Sequence, residues 1–250
     1  MIAYHMVARA WSARDYGSRV DGHFEARLLC TRLFGWAIPS IEAINAIQEA
    51  VGNRPVVEVG AGTGYWGFLL KQAGVSWVGL DECPGRQRIS DAEVKAAYDH
   101  ALSVLYSTAA FARSSGSRTG RYAAIAAQLQ EATALFPEGL DTYQPATRLC
   151  WAPVEVSAVS DAAVWESHPE NQPGRVLMLC WPPYAEPMGF HALKGFRGDR
   201  LVYIGERYGG CTGDDAFHEL LEAEWDTISE HALPQWEGIN DRLFIYQRNT

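Results

Sequence analysis

The chain has 250 residues, of which 48% are hydrophobic and 20% charged, and its formal net charge is −9 at pH 7. This composition is that of a globular protein and excludes a disordered or low-complexity chain. The acidic balance disfavours broad binding to nucleic-acid phosphates, and no apolar run reaches the roughly 18 residues of a membrane span. The N-terminus is a poor secretory signal, so we expect a cytoplasmic protein.

The cysteines are odd in number and scattered, at Cys30, Cys83, Cys150, Cys180 and Cys211. They form no C-x-x-C pair, so neither a disulfide framework nor a metal site is expected. We interpret all five as small, reduced apolar residues.

The first 53 residues predict two helices. Residues 23–36 carry apolar side chains at helical spacing. Ser40 is a suitable N-cap for a second helix with an apolar stripe at Ile41, Ile44 and Ile47, and Gly52 is a suitable end.

Residues 55–82 carry the sharpest pattern in the chain. A β-branched run over 55–59 predicts a buried strand, and the glycine-rich segment 60–64 follows it at once. A helix over 65–73 and a second strand over 75–80 come next, and Asp81 and Glu82 follow that strand. This order is typical of a nucleotide-binding βαβ unit.

Residues 85–150 interrupt the alternation of strands and helices. Two Ala-rich helices are expected there, over 91–111 and 121–136, joined by a Ser- and Gly-rich loop. Because a simple βα connection needs only a few residues, we interpret this stretch as a helical insertion. It could be a lid over a ligand crevice, a packing extension or the contact face of a homodimer.

The rest of the chain predicts five more strands, at 154–159, 175–180, 201–205, 227–233 and 242–247. Helices are expected over 161–166 and 184–196, and a third begins at a capping box formed by Thr212 and Asp215. The last two strands suggest a hairpin. The prediction is one α/β domain over residues 1–250, with a Rossmann-like, mostly parallel seven-stranded sheet, a C-terminal antiparallel hairpin and helices on both faces.

The glycine loop can be read in two registers. Gly60, Gly62 and Gly64 form G-x-G-x-G directly after the strand, whereas Gly62, Gly64 and Gly67 satisfy the dinucleotide fingerprint two residues later. The second register begins too far from the strand for the immediate turn that the fingerprint needs. Asp81 lies at a suitable distance for a ribose-binding acid in either register, so it does not discriminate.

Several segments together resemble class I S-adenosylmethionine-dependent methyltransferases: residues 58–64 (EVGAGTG), the strand end 79–81 (GLD), the WPPY segment at 181–184 and the terminal hairpin. Residues 36–39 (WAIP) and 180–184 (CWPPY) are also similar to an uncharacterised group of small methyltransferase-like proteins. The resemblance implies S-adenosylmethionine as cofactor. It implies these cofactor-binding residues: Glu58, Gly60, Ala61, Gly62, Thr63, Gly64, Asp81, Glu82, Asp161, Ala162, Cys180 and Trp181.

The WPPY segment is similar to the D/N-P-P-aromatic motif of amine-directed methyltransferases, whose first side chain accepts a hydrogen bond from the amino group. Trp181 stands at that position and carries a donor but no acceptor. Its ring and its neighbours could instead wall a substrate pocket, for which we select Trp36, Trp181, Pro182, Pro183 and Tyr184. The candidate catalytic residues are Glu206, Tyr184 and His191, although Glu206 could equally be a solvated charge.

We therefore expect methyl transfer from S-adenosylmethionine to a nitrogen or oxygen of a small-molecule acceptor. A general base is needed only where that nucleophile is protonated. Two alternatives stay open: a nicotinamide-dependent oxidoreductase, and a cofactor-binding scaffold subunit without catalysis. A nucleic-acid substrate is disfavoured by the acidic charge, and no membrane partner is expected.

Overall fold

In a computed structural model, the described residues are 34–82, 150–236 and 238–249, together with Arg27, Cys30 and Thr31. The helical insertion expected at 85–150 lies outside them except for its last residue. The lid and dimer interpretations therefore stay predictions. Most of the helix expected over residues 23–36 also lies outside the described residues.

The fold is a seven-stranded sheet flanked by helices. Its strands are β1 (Val56–Val59), β2 (Trp77–Asp81), β3 (Val154–Val156), β4 (Val176–Cys180), β5 (Arg200–Gly205), β6 (Trp225–Ala232) and β7 (Arg242–Arg248). Their order is β3-β2-β1-β4-β5-β7-β6. Strands β1 to β5 are parallel, β7 is antiparallel to β5, and β6 is antiparallel to β7. The predicted Rossmann-like fold with a C-terminal hairpin is confirmed.

The described helices are α1 (Ile41–Val51), α2 (Tyr65–Gln72), α3 (Ala162–Ser167), α4 (Met188–Gly195) and α5 (Asp215–Glu224). The expected caps of α1 are confirmed. The Ser40 side chain accepts a hydrogen bond from the amide of Ala43 at 3.1 Å, and Gly52 ends the helix at φ 57°.

Two helix starts differ from the prediction. α4 begins at Met188 and not at residue 184, because Pro187 has no amide N–H and would interrupt a helix that started at residue 184. The N-cap of α5 is Asp214, whose carboxylate accepts from the Phe217 amide at 3.0 Å. The capping box expected at Thr212 is wrong because that hydroxyl binds the amide of Glu206 at 2.7 Å.

Two apolar clusters cover the two faces of the sheet, as the period-two geometry of strands requires. On one face, Val56, Met178 and Ile204 pack with α1 and α2. On the other, Leu177 and Tyr203 pack with α3, α4 and α5. The carboxyl ends of the parallel strands meet at one edge of this double-covered sheet.

Candidate functional site

The strand order reverses between β1 and β4, and open α/β sheets bind ligands at such a point, outside the carboxyl ends of the strands. The segment Gly60–Gly64 lies there, between β1 and α2. Its three glycines have φ values of 77°, 54° and 67°, a region that other residues rarely adopt. The glycine spacing therefore encodes the sharp turn at this edge.

Hydrogen bonds fix the turn to the neighbouring strand. The amides of Gly60 and Ala61 both donate to the Leu80 carbonyl, at 2.9 and 3.0 Å. The amide of Gly62 donates to the Asp81 carboxylate at 2.8 Å. The Thr63 hydroxyl donates to the carbonyl of Phe34 at 2.5 Å. Loop and strand end thus form one rigid unit.

Glu58 lies behind the loop and is 2% exposed. One carboxylate oxygen accepts a hydrogen bond from the indole N–H of Trp77 at 2.8 Å. Burial raises the pKa of Glu58 to about 8, with a smaller contribution from the charge of Asp81, although the bond from Trp77 opposes the rise. Glu58 is therefore mostly protonated at pH 7.

Two glycines make room for the indole of Trp77. A Cβ at Gly67 would lie 2.2 Å from a ring carbon of Trp77, and one at Gly79 would lie 2.3 Å from another. Gly67 therefore serves the close packing of α2 on β2. Packing against Trp77 thus accounts for a glycine at position 67, and the dinucleotide fingerprint is not needed to explain it.

An open cleft lies beside the glycine loop. Its lining combines the loop backbone with aromatic and polar side chains: Thr31, Phe34, Trp36, Glu58, Thr63, Tyr65, Trp66 and Cys180. A Cβ at Gly62 would meet no atom within 4 Å, so the loop borders open space there.

The acids after β2 and β3 already have partners in the protein. Asp81 holds the Gly62 amide, and Glu82 accepts from the hydroxyl and amide of Ser160. Asp161 is the N-cap of α3, where it accepts from Ala163 at 2.8 Å, and Ala162 is the first residue of that helix. A carboxylate has about four acceptor positions, so these bonds leave capacity for a ligand.

The segment after β4 is shaped by an aromatic residue instead of glycine. Trp181 has φ 55°, a left-handed conformation in a residue other than glycine. Its ring stacks on Trp36 with centroids 5.4 Å apart. Its indole N–H donates to Asp241 at 2.9 Å. Pro182 is buried in the same turn, whereas Pro183 is exposed.

Asp241 precedes β7 and lies at the same sheet edge, because β7 runs antiparallel to β5. It is 2% exposed. Burial raises its pKa to about 6; the bond from Trp181 and the charge of Arg27 oppose that rise, and the charge of Glu206 adds to it. Sequence reasoning missed this residue, since the hairpin turn of residues 233–241 has no motif that marks it.

Glu206 follows β5 and is 6% exposed, so it is not the solvated charge that the sequence allowed. Its two carboxylate oxygens accept from the amides of Cys211 at 2.7 Å and Asn240 at 2.6 Å. Burial alone would raise its pKa, but these hydrogen bonds and the charge of Arg27 lower it overall. Glu206 thus joins the loop after β5 to the hairpin.

The other candidate catalytic residues lie in different surroundings. Nδ1 of His191 lies 2.9 Å from the carbonyl oxygen of Ser160. Because a carbonyl oxygen can only accept a hydrogen bond, Nδ1 carries the hydrogen and Nε2 carries the lone pair of the neutral ring. Tyr184 is 59% exposed. Neither His191 nor Tyr184 lines the cleft beside the glycine loop.

A scan against protein-family models gives no match, and a search of curated proteins gives none either. Solved structures match at low identity. Magnesium protoporphyrin IX methyltransferase from Synechocystis PCC 6803, with bound SAM, is 10% identical at a TM-score of 0.42 and covers 100% of this chain and 98% of its own.

Two further structures show the same level of likeness. The rRNA methyltransferase aviRa from Streptomyces viridochromogenes is 14% identical at a TM-score of 0.38, over 85% of both chains. A protein in the NADB-Rossmann superfamily from Streptococcus agalactiae is 11% identical at 0.37, over 85% of this chain and 70% of its own.

The described residues lack two further features. None of their helices is long and apolar enough to cross a membrane. No group of three or more His, Cys, Asp or Glu side chains among them is arranged to hold a metal ion.

Proposed function

We propose that the protein transfers a methyl group from S-adenosylmethionine to a nitrogen or oxygen of a small-molecule acceptor. The observation that carries the proposal is the loop Gly60–Gly64, at the carboxyl end of β1, where the strand order reverses. It borders a cleft that is also lined by Glu58 and by aromatic rings. These features suit a ligand with a polar amino-acid tail, a sugar and a planar base.

The residues present fit this cofactor. The bare backbone at Gly62 leaves space for close approach, and the Asp81 carboxylate beside it has acceptor positions for ribose hydroxyls. When bound, S-adenosylmethionine supplies an electrophilic methyl group on a positively charged sulfur. Glu58 lies on the same cleft, and a cation nearby favours the ionised form of such a buried acid.

The contribution of the chain to methyl transfer is alignment of the acceptor and exclusion of water. Trp36 and Tyr65 line the cleft and provide apolar walls for this purpose. His191 is a candidate base, since its Nε2 carries the lone pair in the neutral ring. Glu206 is a weaker candidate, because both of its carboxylate oxygens already hold backbone amides.

The sheet itself disfavours the oxidoreductase alternative. Dinucleotide-binding sheets have the strand order 3-2-1-4-5-6, whereas β7 lies here between β5 and β6 and is antiparallel to both. The G-x-G-x-G register also begins directly after β1, and packing against Trp77 accounts for Gly67.

Calorimetric titration with S-adenosylmethionine tests the cofactor. We expect binding to the wild-type chain and about tenfold to hundredfold weaker binding to Asp81→Asn, which can still accept from Gly62 but lacks the charge. Asp226→Asn, at an exposed position of β6, is the matched control. No binding at millimolar cofactor, or equal affinity in both variants and wild type, would remove the proposal.

Two further measurements separate the alternatives. Titration with reduced nicotinamide cofactor, followed by fluorescence, identifies an oxidoreductase if that cofactor binds and S-adenosylmethionine does not. Incubation with methyl-labelled cofactor and a metabolite extract identifies a scaffold subunit if cofactor binds but no label is transferred to any acceptor.

A further inference from the structure

Three side chains form an aromatic and cationic cluster next to the cleft. The rings of Trp36 and Trp181 stack at an interplanar angle of 14°. The guanidinium of Arg27 lies 5.6 Å from the ring centroid of Trp36 and 5.9 Å from that of Trp181. Trp36 also lines the cleft. The two indoles therefore present π faces to a cation at the cleft boundary.

Arg27 is partly buried beside these rings. Its Nε is buried without a hydrogen-bond partner. Among the described residues no carboxylate forms an ion pair with it at 4.0 Å or less. Its guanidinium lies within 6 Å of the centroids of both indole rings, so it marks a position where another cation could bind.

Asp241 provides an unused acceptor in the same cluster. Its Oδ2 accepts from the indole N–H of Trp181, whereas its Oδ1 is buried and has no hydrogen-bond partner among the described residues. A buried carboxylate oxygen without a partner costs free energy, on the order of 1–3 kcal/mol for a polar group and more when charged. A donor from a ligand would satisfy it.

Two further arginines lie at this sheet edge, one after β5 and one at the start of β7. Arg207 and Arg242 both contact the carboxylate of Glu230. Among the described residues, Asp241 and Glu206 both lie near enough to Arg27 to interact with its charge. An ionised acid at each of these two positions attracts a cation to the cluster.

We propose that Trp36, Trp181 and Asp241 form a binding site for an organic cation, which Arg27 occupies in the ligand-free protein. This inference rests on the proposed function. Together with it, the cation site makes the methyl acceptor a compound with an ammonium or guanidinium group. Asp241 then supplies, from the hairpin, the hydrogen-bond acceptor that Trp181 lacks at the first position of the WPPY segment.

Choline is the probe, and its neutral isostere 3,3-dimethylbutan-1-ol is the reference ligand. Both are titrated into the full-length chain by calorimetry without any cofactor. We expect Arg27→Gln to bind choline at least tenfold more tightly than wild type does, because the site is vacated. The neutral isostere should bind at least fivefold more weakly than choline, since it lacks the charge that the rings and Asp241 recognise.

A second substitution, added to the Arg27→Gln chain, tests whether Trp181 and Asp241 bind the choline. Trp181→Leu should abolish the gain in choline affinity, and Asp241→Asn should reduce it about fivefold. If the Trp181→Leu chain does not fold by circular dichroism, the Asp241→Asn result decides alone. Arg54→Gln is the matched control, because Arg54 pairs with Asp199 away from the cluster and should keep wild-type affinity.

The proposal is overturned if folded Arg27→Gln binds choline no more tightly than wild type, or binds choline and the isostere equally. An unchanged choline affinity on adding Asp241→Asn also overturns it. The choline titration needs no cofactor, so its outcome is independent of the S-adenosylmethionine titration that tests the proposed function.

Discussion

Two buried carboxylates at the same sheet edge each accept a hydrogen bond from an indole N–H. Glu58 pairs with Trp77 at 2.8 Å, and Asp241 pairs with Trp181 at 2.9 Å. Burial raises the pKa of Glu58 to about 8 and that of Asp241 to about 6. At pH 7 the first is therefore mostly neutral and the second mostly ionised.

The difference arises from what surrounds each pair. Burial is the largest cause of the raised pKa at both residues, and a neighbouring acid adds to each rise, Asp81 for Glu58 and Glu206 for Asp241; the charge of Arg27 opposes the rise at Asp241. The backbones differ as well. Trp77 lies in a regular strand against two glycines, and Trp181 has a left-handed backbone that its own contacts hold. The same kind of carboxyl–indole pair therefore holds a mostly neutral acid at Glu58 and a mostly ionised acid at Asp241.

Glu58→Gln should give the largest change in stability. The pKa of Glu58 is raised from 4.5 to about 8, so the folded chain holds a proton that the unfolded chain releases. Wild-type stability should fall as pH rises through this window, by on the order of 4 kcal/mol. Glu58→Gln should remove most of that fall.

Urea denaturation of both chains at pH 5, 7 and 9 measures this effect. Glu49→Gln, at an exposed position of α1, should follow the wild-type curve. Identical pH dependence in wild type and Glu58→Gln would contradict a raised pKa at Glu58.

Gly67→Ala tests the packing around the first pair. The added Cβ would lie 2.2 Å from Trp77, so α2 or the indole must move, at a cost of about 3 kcal/mol. Gly174→Ala is the control, since a Cβ there meets nothing within 4 Å. Similar melting temperatures for these two variants would show that Trp77 does not depend on the close approach.

Asp241→Asn tests the second pair. The folded-state pKa of about 6 exceeds the ordinary value of 3.8, so ionised Asp241 destabilises the fold above pH 6. We expect the variant to be more stable than wild type at pH 8, by about 2 kcal/mol, and nearly equal at pH 4. Asp226→Asn controls for the change of net charge, and a loss of stability at pH 8 would refute the account.

Gly62→Ala should have the smallest effect on stability and a specific effect on binding. Gly62 and Gly52 have φ values of 54° and 57°, and a Cβ at either meets nothing within 4 Å. Each Ala variant should lose about 1 kcal/mol from backbone strain. Only Gly62→Ala should weaken S-adenosylmethionine binding, about tenfold, because its Cβ enters the space beside the loop.

Calorimetry and thermal melts on this pair separate binding from folding. Equal cofactor affinity in Gly62→Ala and Gly52→Ala would place the ligand away from the loop.

Much of the fold could be predicted because local signals were strong. The helix caps at Ser40 and Gly52, and the seven strands in their order along the chain, follow from short-range patterns. One error arose where a side chain had two possible partners. Thr212 has the spacing of an N-cap, yet its hydroxyl binds Glu206, and Asp214 takes the cap.

The turns after β1 and after β4 differ in how far the sequence alone predicts them. The turn after β1 follows from sequence alone, because glycine is the residue that adopts three left-handed conformations in five positions at little cost. The conformation after β4 does not. A tryptophan at φ 55° is unfavourable by itself and persists only because Ile204, Trp36 and Asp241 hold it. Those partners come from three distant segments, so only the tertiary structure brings Asp241 to the site.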